Sequence, residues 1–511
     1  MSSVPWWGLL AATAPVVLLA ILVLRGRRLT PSAWVAAGAT ALLSLSVFSL
    51  DPVGLAVGTI RGVWTGSWIL LIVLPALLLF EVLDRSGALD HLSTAAEHLA
   101  PTPGRRLLLI AWILPSFLQG AAGFGTPIAM TAPMLVRGGM APLPAVATCL
   151  IGYQWAVTFG SMGSSYFMAS ATARLSEGPA SSFALRAGLV LAISCILSGL
   201  LVLSRADGRR RADIGVTLLI GTSMGAALVL TVLAQPALGS TVAGLVGLLV
   251  AWFVLPRGGT RPGSGDLFAA ALPYAVLTAA VTIAFGVPVV RDLVERVPEF
   301  APVLQGSDAA FGFSTPRSEV TPAFRPLLHP LPYLLLATGT AVLAYRRRGW
   351  WPRGTGRRAL RAWIARSAPV AASIIGLTVL ASLMVEAGMV AAIAVALATA
   401  LGLLFVGVSP MIGTFGTVLT GSTTASNALF SSLQSSVADR IGVPGPVLLS
   451  AQTAGGNVGN ALAPVNVAVG TAAAGGIGKE GEVVRRNAPA AGLLLLAIVL
   501  ATVVQAVLAS Y

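Results

Sequence analysis

Charge is scarce in this chain. Only 10% of its 511 residues are Asp, Glu, Lys or Arg, while 56% are hydrophobic. A soluble domain carries about a quarter charged residues, so a soluble globular protein is excluded. Cysteine is rarer still, with Cys149 and Cys195 each inside an apolar run. That rules out a disulfide framework and leaves both thiols as small packing groups. The three histidines, His91, His98 and His329, have no ligand spacing, so no metal site is expected. His91, Glu97 and His98 fall in LDHLSTAAEHLA, which reads as an amphipathic helix on the membrane surface with a solvated polar face. No pair of carboxylates and no Ser/His/Asp set stands out, so no catalytic residues and no enzyme are expected.

Acidic residues are also few, 18 against 32 Lys and Arg, which leaves a net charge of +14. That excess invites a nucleic-acid partner, but its placement argues otherwise. The arginines cluster in short connections: Arg25, Arg27 and Arg28, then Arg205 with Arg209 to Arg211, then Arg346 to Arg366. Such clustering orients helices in a bilayer and needs no nucleic acid. The N-terminus has no basic stretch before its first apolar run, so that run reads as a retained span.

What remains is a series of apolar runs, enough for about 12–14 transmembrane helices. Two distant stretches break the pattern in the same way. The first reads PSFLQGAAGFGTPIAM (Pro115 to Met130), then TCLIGYQWAVTFGSMG (Thr148 to Gly163). The second reads GTVLTGSTTASNALF (Gly416 to Phe430), then SAQTAGGNVGNALAP (Ser450 to Pro464). Placing Gly120 on Gly421 gives an offset of 421 − 120 = 301, which also carries Tyr153 and Gln154 onto Ala454 and Gly455. Paired, interrupted apolar segments at corresponding places point to the binding site of a secondary transporter.

Loop charge constrains topology. The basic connections at 25–28, 84–106 and 205–211 belong on the cytoplasmic side, yet three apolar regions separate the last two. One region must enter and leave on the same side. The stretch 107–136, with Pro115, Gly120, Gly123, Gly125, Pro127 and Pro133, is the natural re-entrant hairpin. By the offset, 411–436 is its equivalent. The expected fold is therefore an all-α polytopic membrane protein with two re-entrant hairpins in two inverted repeats.

The domain reading follows. Scaffold helices occupy 1–106, and a first core at 107–204 holds hairpin 107–136 and broken helix 142–168. Connecting scaffold helices occupy 205–366, with a polar, Pro-rich loop at 291–325 placed outside. A second core at 367–487 holds hairpin 411–436 and broken helix 445–475, and 488–511 is a C-terminal helix.

Unpaired backbone groups in hydrocarbon cost several kcal/mol each, so broken helices occur there only where they line a cavity or are buried in protein. Half-helix N-termini suit an anion, and exposed carbonyls suit a cation. The binding candidates are Gln119, Gly120, Gly123, Gly125, Thr126, Tyr153 and Gln154 in the first repeat. In the second they are Ser422, Thr423, Thr424, Ser426 and Asn427, facing Thr453, Gly455, Gly456, Asn457 and Asn460. The rival reading is that these polar and small groups only hold helices together. Ionisable groups inside a membrane are functional by default, which singles out Glu81, Asp84 and Glu386.

These motifs resemble the lactate permease family. The resemblance rests on LQGAAGFGTPIAM, VTFGSMG, LTGSTTASNALFSSLQ, IGVP, AGGNVGNALAPVNVAV and GIGKE, and is strongest over 112–165 and 413–481. It implies a carrier in the bacterial inner membrane that takes up lactate, glycolate or a similar small 2-hydroxy monocarboxylate, usually with a proton. It also implies an elevator-type movement; a homodimer is a possible assembly. Several positions depart from the family pattern. An acidic residue is usual where this chain has Gln119 and where it has Thr423, and a lysine is usual where it has Asn460. The family's Asn-Thr-Ala-Pro stretch is replaced by Tyr153-Gln154-Trp155-Ala156, and its Ser-Pro-Gln-Ser by Ala463-Pro464-Val465-Asn466. A site without carboxylate or lysine cannot itself exchange a proton near neutral pH. Coupling then falls to Glu81, Asp84 or Glu386, or to sodium held by carbonyls and hydroxyls, or is absent. The alternative function is a carrier of a different small organic anion or a neutral solute.

Overall fold

The computed structural model describes residues 4–91, 103–121, 125–206, 211–255, 264–319 and 322–509. Helices dominate. Among the described residues, nine helical stretches are long and apolar enough to cross a membrane. Leu24, Phe253 and Leu404 lie exposed on such helices, as lipid-facing residues do.

The chain opens with α1 (Trp6–Leu24), α2 (Leu29–Ser46) and α3 (Pro52–Ser86). Asp51 starts α3 by accepting the N–H of Gly54 at 2.7 Å, with Pro52 in the first turn. The partner of α3 is α15 (Thr355–Glu386), which runs antiparallel to it. Gly58, Gly62 and Gly66 recur every four residues, so they share one face of α3. They sit against Leu383, Val379 and Ile375 of α15 in turn, and a Cβ on Gly62 would run into the backbone of Val379.

Next come α4 (Pro103–Leu108), a π-turn (Leu109–Ile113) and α5 (Leu114–Ala121), then α6 (Thr126–Arg137). Gly152 lies against the carbonyl of Ala111 in that π-turn, where no side chain would fit. The crossing segment that follows is broken. α7 (Pro142–Tyr153) loosens into a 3-10 turn (Gln154–Ala156), leaves helical form, and resumes as α8 (Ser164–Thr172) after Gly163 at φ 73°. Then follow α9 (Glu177–Ser204), α10 (Arg211–Ala234), α11 (Gly239–Val254), α12 (Ser264–Gly286) and α13 (Pro288–Glu295).

The polar connection read as a plain loop has structure. Strands β1 (Val303–Leu304) and β4 (Ser318–Glu319) pair outside β2 (Ser307–Ala309) and β3 (Phe313–Thr315), both antiparallel. This nested ribbon and the residues after it lie over the start of α3. The Nε1 atoms of Trp64 and Trp68 donate to the carbonyls of Pro322 and Ala323 at 2.9 and 3.2 Å.

After α14 (Leu331–Arg347) and α15 come α16 (Met389–Leu401), α17 (Phe405–Thr420), α18 (Thr423–Ile441), α19 (Gly445–Asn460), α20 (Pro464–Ala474) and α21 (Glu480–Leu508). The apolar stretch from α16 into α17 breaks at Gly402, whose φ of 50° and ψ of −132° leave helical space. The second helical hairpin is consequently longer than expected, because α17 starts at Phe405 and α18 runs to Ile441.

Basic connections gather at one end of the molecule. There Arg366 pairs with Glu81 at 3.2 Å, Arg105 with Asp213 at 3.0 Å, and Arg205 donates to Asn487 Oδ1 at 3.2 Å. His91 stacks on Trp350 in the same region; the rest of the expected surface helix, including Glu97 and His98, lies outside the described residues. Both limbs of the first hairpin open toward this end, since Gly138, just after α6, approaches Arg106. The second hairpin opens toward the ribbon end. Its limbs meet where Gln434 approaches the Ser409 carbonyl, and Ser432 donates to the Thr172 carbonyl at 3.1 Å, two residues before Arg174.

Candidate functional site

The two hairpin tips and the two helix breaks converge on one cavity of about 50 Å³. From the first half it is lined by Gln119, Gly125, Tyr153, Ser161, Ser164 and Ser165, and from the second by Gly421 to Thr424, Asn460 and Asn466. Each tip turns at a glycine in the left-handed region, Gly125 at φ 82° and Gly421 at φ 74°. Both glycines rest on valines of α20: Gly125 on Val469 and Gly421 on Val465.

The helices α6, α8, α18 and α20 all begin at this cavity, as the lining positions Gly125, Ser164, Thr423 and Asn466 show. First-turn N–H groups have no partner within their own helix, and helix N-termini carry partial positive charge. The walls add hydroxyls and amides. Ser165 and Thr424 hydroxyls meet at 2.8 Å across the two halves. Asn466 Nδ2 lies 3.3 Å from the Gly421 carbonyl and 3.2 Å from that of Asn460, tying the second tip to the broken helix. Thr423 Oγ1 is buried without a hydrogen-bond partner. Among the described residues, no Asp, Glu, Lys, Arg or His lines this cavity.

Of the residues singled out in the sequence, Gln119, Gly125, Tyr153, Ser422, Thr423, Thr424 and Asn460 line the cavity. The three positions where the chain is neutral and its family pattern titratable (Gln119, Thr423 and Asn460) are therefore on one wall system. Gly123 lies outside the described residues, as does the side chain of Thr126.

The other candidates sit behind the walls. Gln154 turns away and donates to Ser194 and Ser198 on α9 at 2.8 and 3.0 Å. Gly120 packs on Thr241 of α11, Gly455 beneath the Pro410 carbonyl, and Gly456 against Thr423 and Thr417. Ser426 donates to the Gly413 carbonyl at 3.1 Å. Asn427, Thr453 and Asn457 form a buried chain across the two halves. Asn427 Nδ2 donates to the Ser165 carbonyl at 2.9 Å and to Thr453 Oγ1 at 3.0 Å, and Thr453 reaches Thr158 at 3.0 Å. Six lining residues were not among the binding candidates: Val157, Ser161, Ser164, Ser165, Gly421 and Asn466. Ser164 and Ser165 open a helix directly after a positive-φ glycine, a signal present in the GSMGSS string.

None of the coupling candidates lines the cavity. Glu81 is held by Arg366 at 3.2 Å and Arg85 at 3.6 Å; Asp84 lies 3.8 Å from Arg85. Glu386, fully buried, meets Arg61 at 3.2 Å and Arg174 at 2.9 Å. Among the described residues no group of three or more His, Cys, Asp or Glu is placed to hold a metal ion. A hard monovalent cation would instead find hydroxyl, amide and carbonyl oxygens at the cavity.

A larger recess of about 400 Å³ opens between α3, the end of α8 and the segment after the ribbon, lined by Trp68, Phe167, Arg325 and His329 among others. In the turn before α14, His329 takes the Leu331 N–H on Nδ1 at 3.1 Å and lies 3.3 Å from the Trp68 carbonyl through Nε2. Burial lowers its pKa to about 4, which keeps the ring neutral.

The family described as L-lactate permease matches the chain over residues 8–509. The chain is 28% identical to an L-lactate permease of Salmonella typhimurium, covering 94% of this chain and 92% of that one. It is 28% identical to the glycolate permease of Escherichia coli over 88% of this chain and 86% of that one, and 26% identical to an L-lactate permease of Bacillus subtilis. In structure it resembles the YdaH transporter of Alcanivorax borkumensis, with a TM-score of 0.52 at 14% identity, covering 95% of this chain and 98% of the other. That likeness speaks for the fold.

Proposed function

The chain belongs to the L-lactate permease family, and we propose that it is a secondary active carrier taking up lactate, glycolate or a related small 2-hydroxy monocarboxylate. It is a transporter and not an enzyme, a multi-pass protein of the bacterial inner membrane. The observation that carries the substrate class is the convergence of four helix N-termini on a cavity rich in hydroxyls and, among the described residues, without a carboxylate. Oriented N–H groups would take the carboxylate of the solute. Ser165, Thr424 and the unpartnered Thr423 hydroxyl would take its 2-hydroxyl, and Gln119 and Asn460 would set its orientation.

The movement we propose is alternating access by an elevator shift of the two hairpins and the two broken helices against α3 and α15. Support comes from the limbs: the first hairpin opens toward the basic end and the second toward the ribbon end, as an inverted repeat requires. The cores would run from α4 to α9 and from α16 to α20, with the remaining helices as scaffold.

The same cavity favours a second reading of the coupling. Among the described residues, Tyr153 is the one titratable side chain lining the cavity, and a carboxylate or imidazole to carry a proton is missing there. Sodium on hydroxyl and carbonyl oxygens fits this lining better.

Uptake of labelled L-lactate and glycolate into proteoliposomes, under separately imposed proton and sodium gradients, tests both readings. Accumulation of either acid against its gradient supports the carrier, and its dependence on one ion names the coupling. Mere equilibration would make the protein a facilitator, and indifference to both acids would end the monocarboxylate reading.

A further inference from the structure

We propose that Arg61 and Arg174 form a second site, apart from the central cavity, that binds one small monovalent anion. The ligand chemistry is that of a halide or of a single carboxylate group. This inference does not rest on the transport reading.

The site lies where α3, the end of α8 and α15 meet. Arg61 is only 4% exposed and Glu386 not at all, so their charges are out of water. The charges do not balance. Two guanidinium groups face one carboxylate, and the charged groups acting on Arg61 are Arg174 and Glu386. The carboxylate is shared, one oxygen facing both arginines and the other accepting from Ser307 of the ribbon at 2.7 Å. One positive charge is left over between Arg61, which is out of water, and Arg174, whose side chain is 33% exposed, and a charge drawn partly out of water without a counter-charge is unfavourable.

The donors are also incompletely used. Arg61 Nη2 donates to Ser318 Oγ at 3.1 Å, but its Nε–H, although 3.2 Å from Glu386, is not aimed at an acceptor and is buried. Beside it is a cavity of about 20 Å³, lined by both arginines, Thr172 and Ser432. The Thr172 hydroxyl is buried there without a partner. Such a volume takes one occupant of about the size of water. Water would satisfy the hydrogen bonds and leave the charge; a halide or carboxylate oxygen answers both.

The test uses full-length protein in detergent, titrated with bromide or with L-lactate at constant ionic strength made up with gluconate. Binding to the native state raises the thermal midpoint in a saturable way. Bromide is expected to do so in the wild type. Glu386→Gln removes the competing carboxylate and keeps both arginines, so it should tighten bromide roughly tenfold. Arg174→Gln leaves a balanced Arg61–Glu386 pair and should abolish the response. If L-lactate gives the same saturable rise, lost in Arg174→Gln but kept in Thr423→Val, the occupant is the transported carboxylate; if only bromide acts, it is a halide. Absence of any saturable response to both ions in the wild type, with none gained in Glu386→Gln, overturns the proposal. Should Arg174→Gln fail to fold, Glu386→Gln decides alone, and unchanged bromide affinity in it counts against the site.

Discussion

Thr158 donates its hydroxyl to Asn457 Oδ1 across 2.9 Å, and Asn457 Nδ2 returns a bond to the Trp155 carbonyl at 3.1 Å. One residue comes from the non-helical middle of the first crossing segment and the other from the last turn of α19. With Asn427 donating to Thr453 and Thr453 within reach of Thr158, the donors fall into an ordered series that ends on main chain. Broken backbone in a low-dielectric interior is thereby satisfied by side chains from the opposite half.

Asn457→Ala should remove two of these bonds and leave the Thr158 hydroxyl and Trp155 carbonyl short of partners. Each stranded group costs about 1–3 kcal/mol, so the thermal midpoint and the uptake rate should both fall. Adding Thr158→Val should then cost less than it does alone, because the two groups act as a unit. Strict additivity in that double-mutant cycle would refute the coupling.

At the tips, Gly421→Ala should impair uptake more than Gly125→Ala. Both sit at positive φ, where an alanine costs roughly 1–2 kcal/mol. Gly421 adds a clash, since its new Cβ would come within 3.1 Å of Val465, whereas that of Gly125 would stand 3.4 Å from Val469. Val465→Ala should recover part of the loss in Gly421→Ala and none in Gly125→Ala.

Acid should destabilise the protein partly through His329. Its native pKa is about 4 while an unfolded histidine titrates near 6.5. As pH falls through 6.5 the unfolded chain takes up a proton that the native ring refuses, so stability declines, and the decline from this group ends below about pH 4. The effect is up to about 3 kcal/mol. His329→Asn should flatten the stability profile over that window in detergent-purified protein; an unaltered slope would place the acid sensitivity elsewhere.

Gln119→Glu, Thr423→Asp and Asn460→Lys together should make uptake respond to pH, because all three positions share the central cavity. Thr423→Asp alone should depress uptake of a carboxylate by like-charge repulsion. Initial rates from pH 5 to 8 in proteoliposomes measure both, and a flat profile in the triple variant would separate coupling from this cavity.

Much of the architecture could be read from the chain. Gly421, Pro464 and the Gly160 to Gly163 stretch mark the breaks because glycine and proline interrupt helices wherever they occur in such runs. What escaped was helical phase. Gln154 and Ser426 are polar and lie at the breaks, but a rotation of one residue, about 100° on a helix, decides whether a side chain faces the cavity or a neighbouring helix. The offset of 301 aligned the crossing segments but not the tips. The left-handed turn comes at Gly125 rather than Gly120, and 421 − 125 = 296. Gly120 serves instead as a flat seat for Thr241, a contact that depends on α11 and has no local signature. Arg174 was unreadable for a related reason: its significance exists only once α3 and α15 bring Arg61 and Glu386 beside it.

The valines under the two tips have one more implication. Val465 and Val469 are four residues apart on α20, hence one above the other on a single face. Two segments separated by nearly 300 residues thus lean on a common axle, and neither can be repacked without disturbing the seat of the other. In the carrier proposed above, movement of one tip would then be felt at the other through α20.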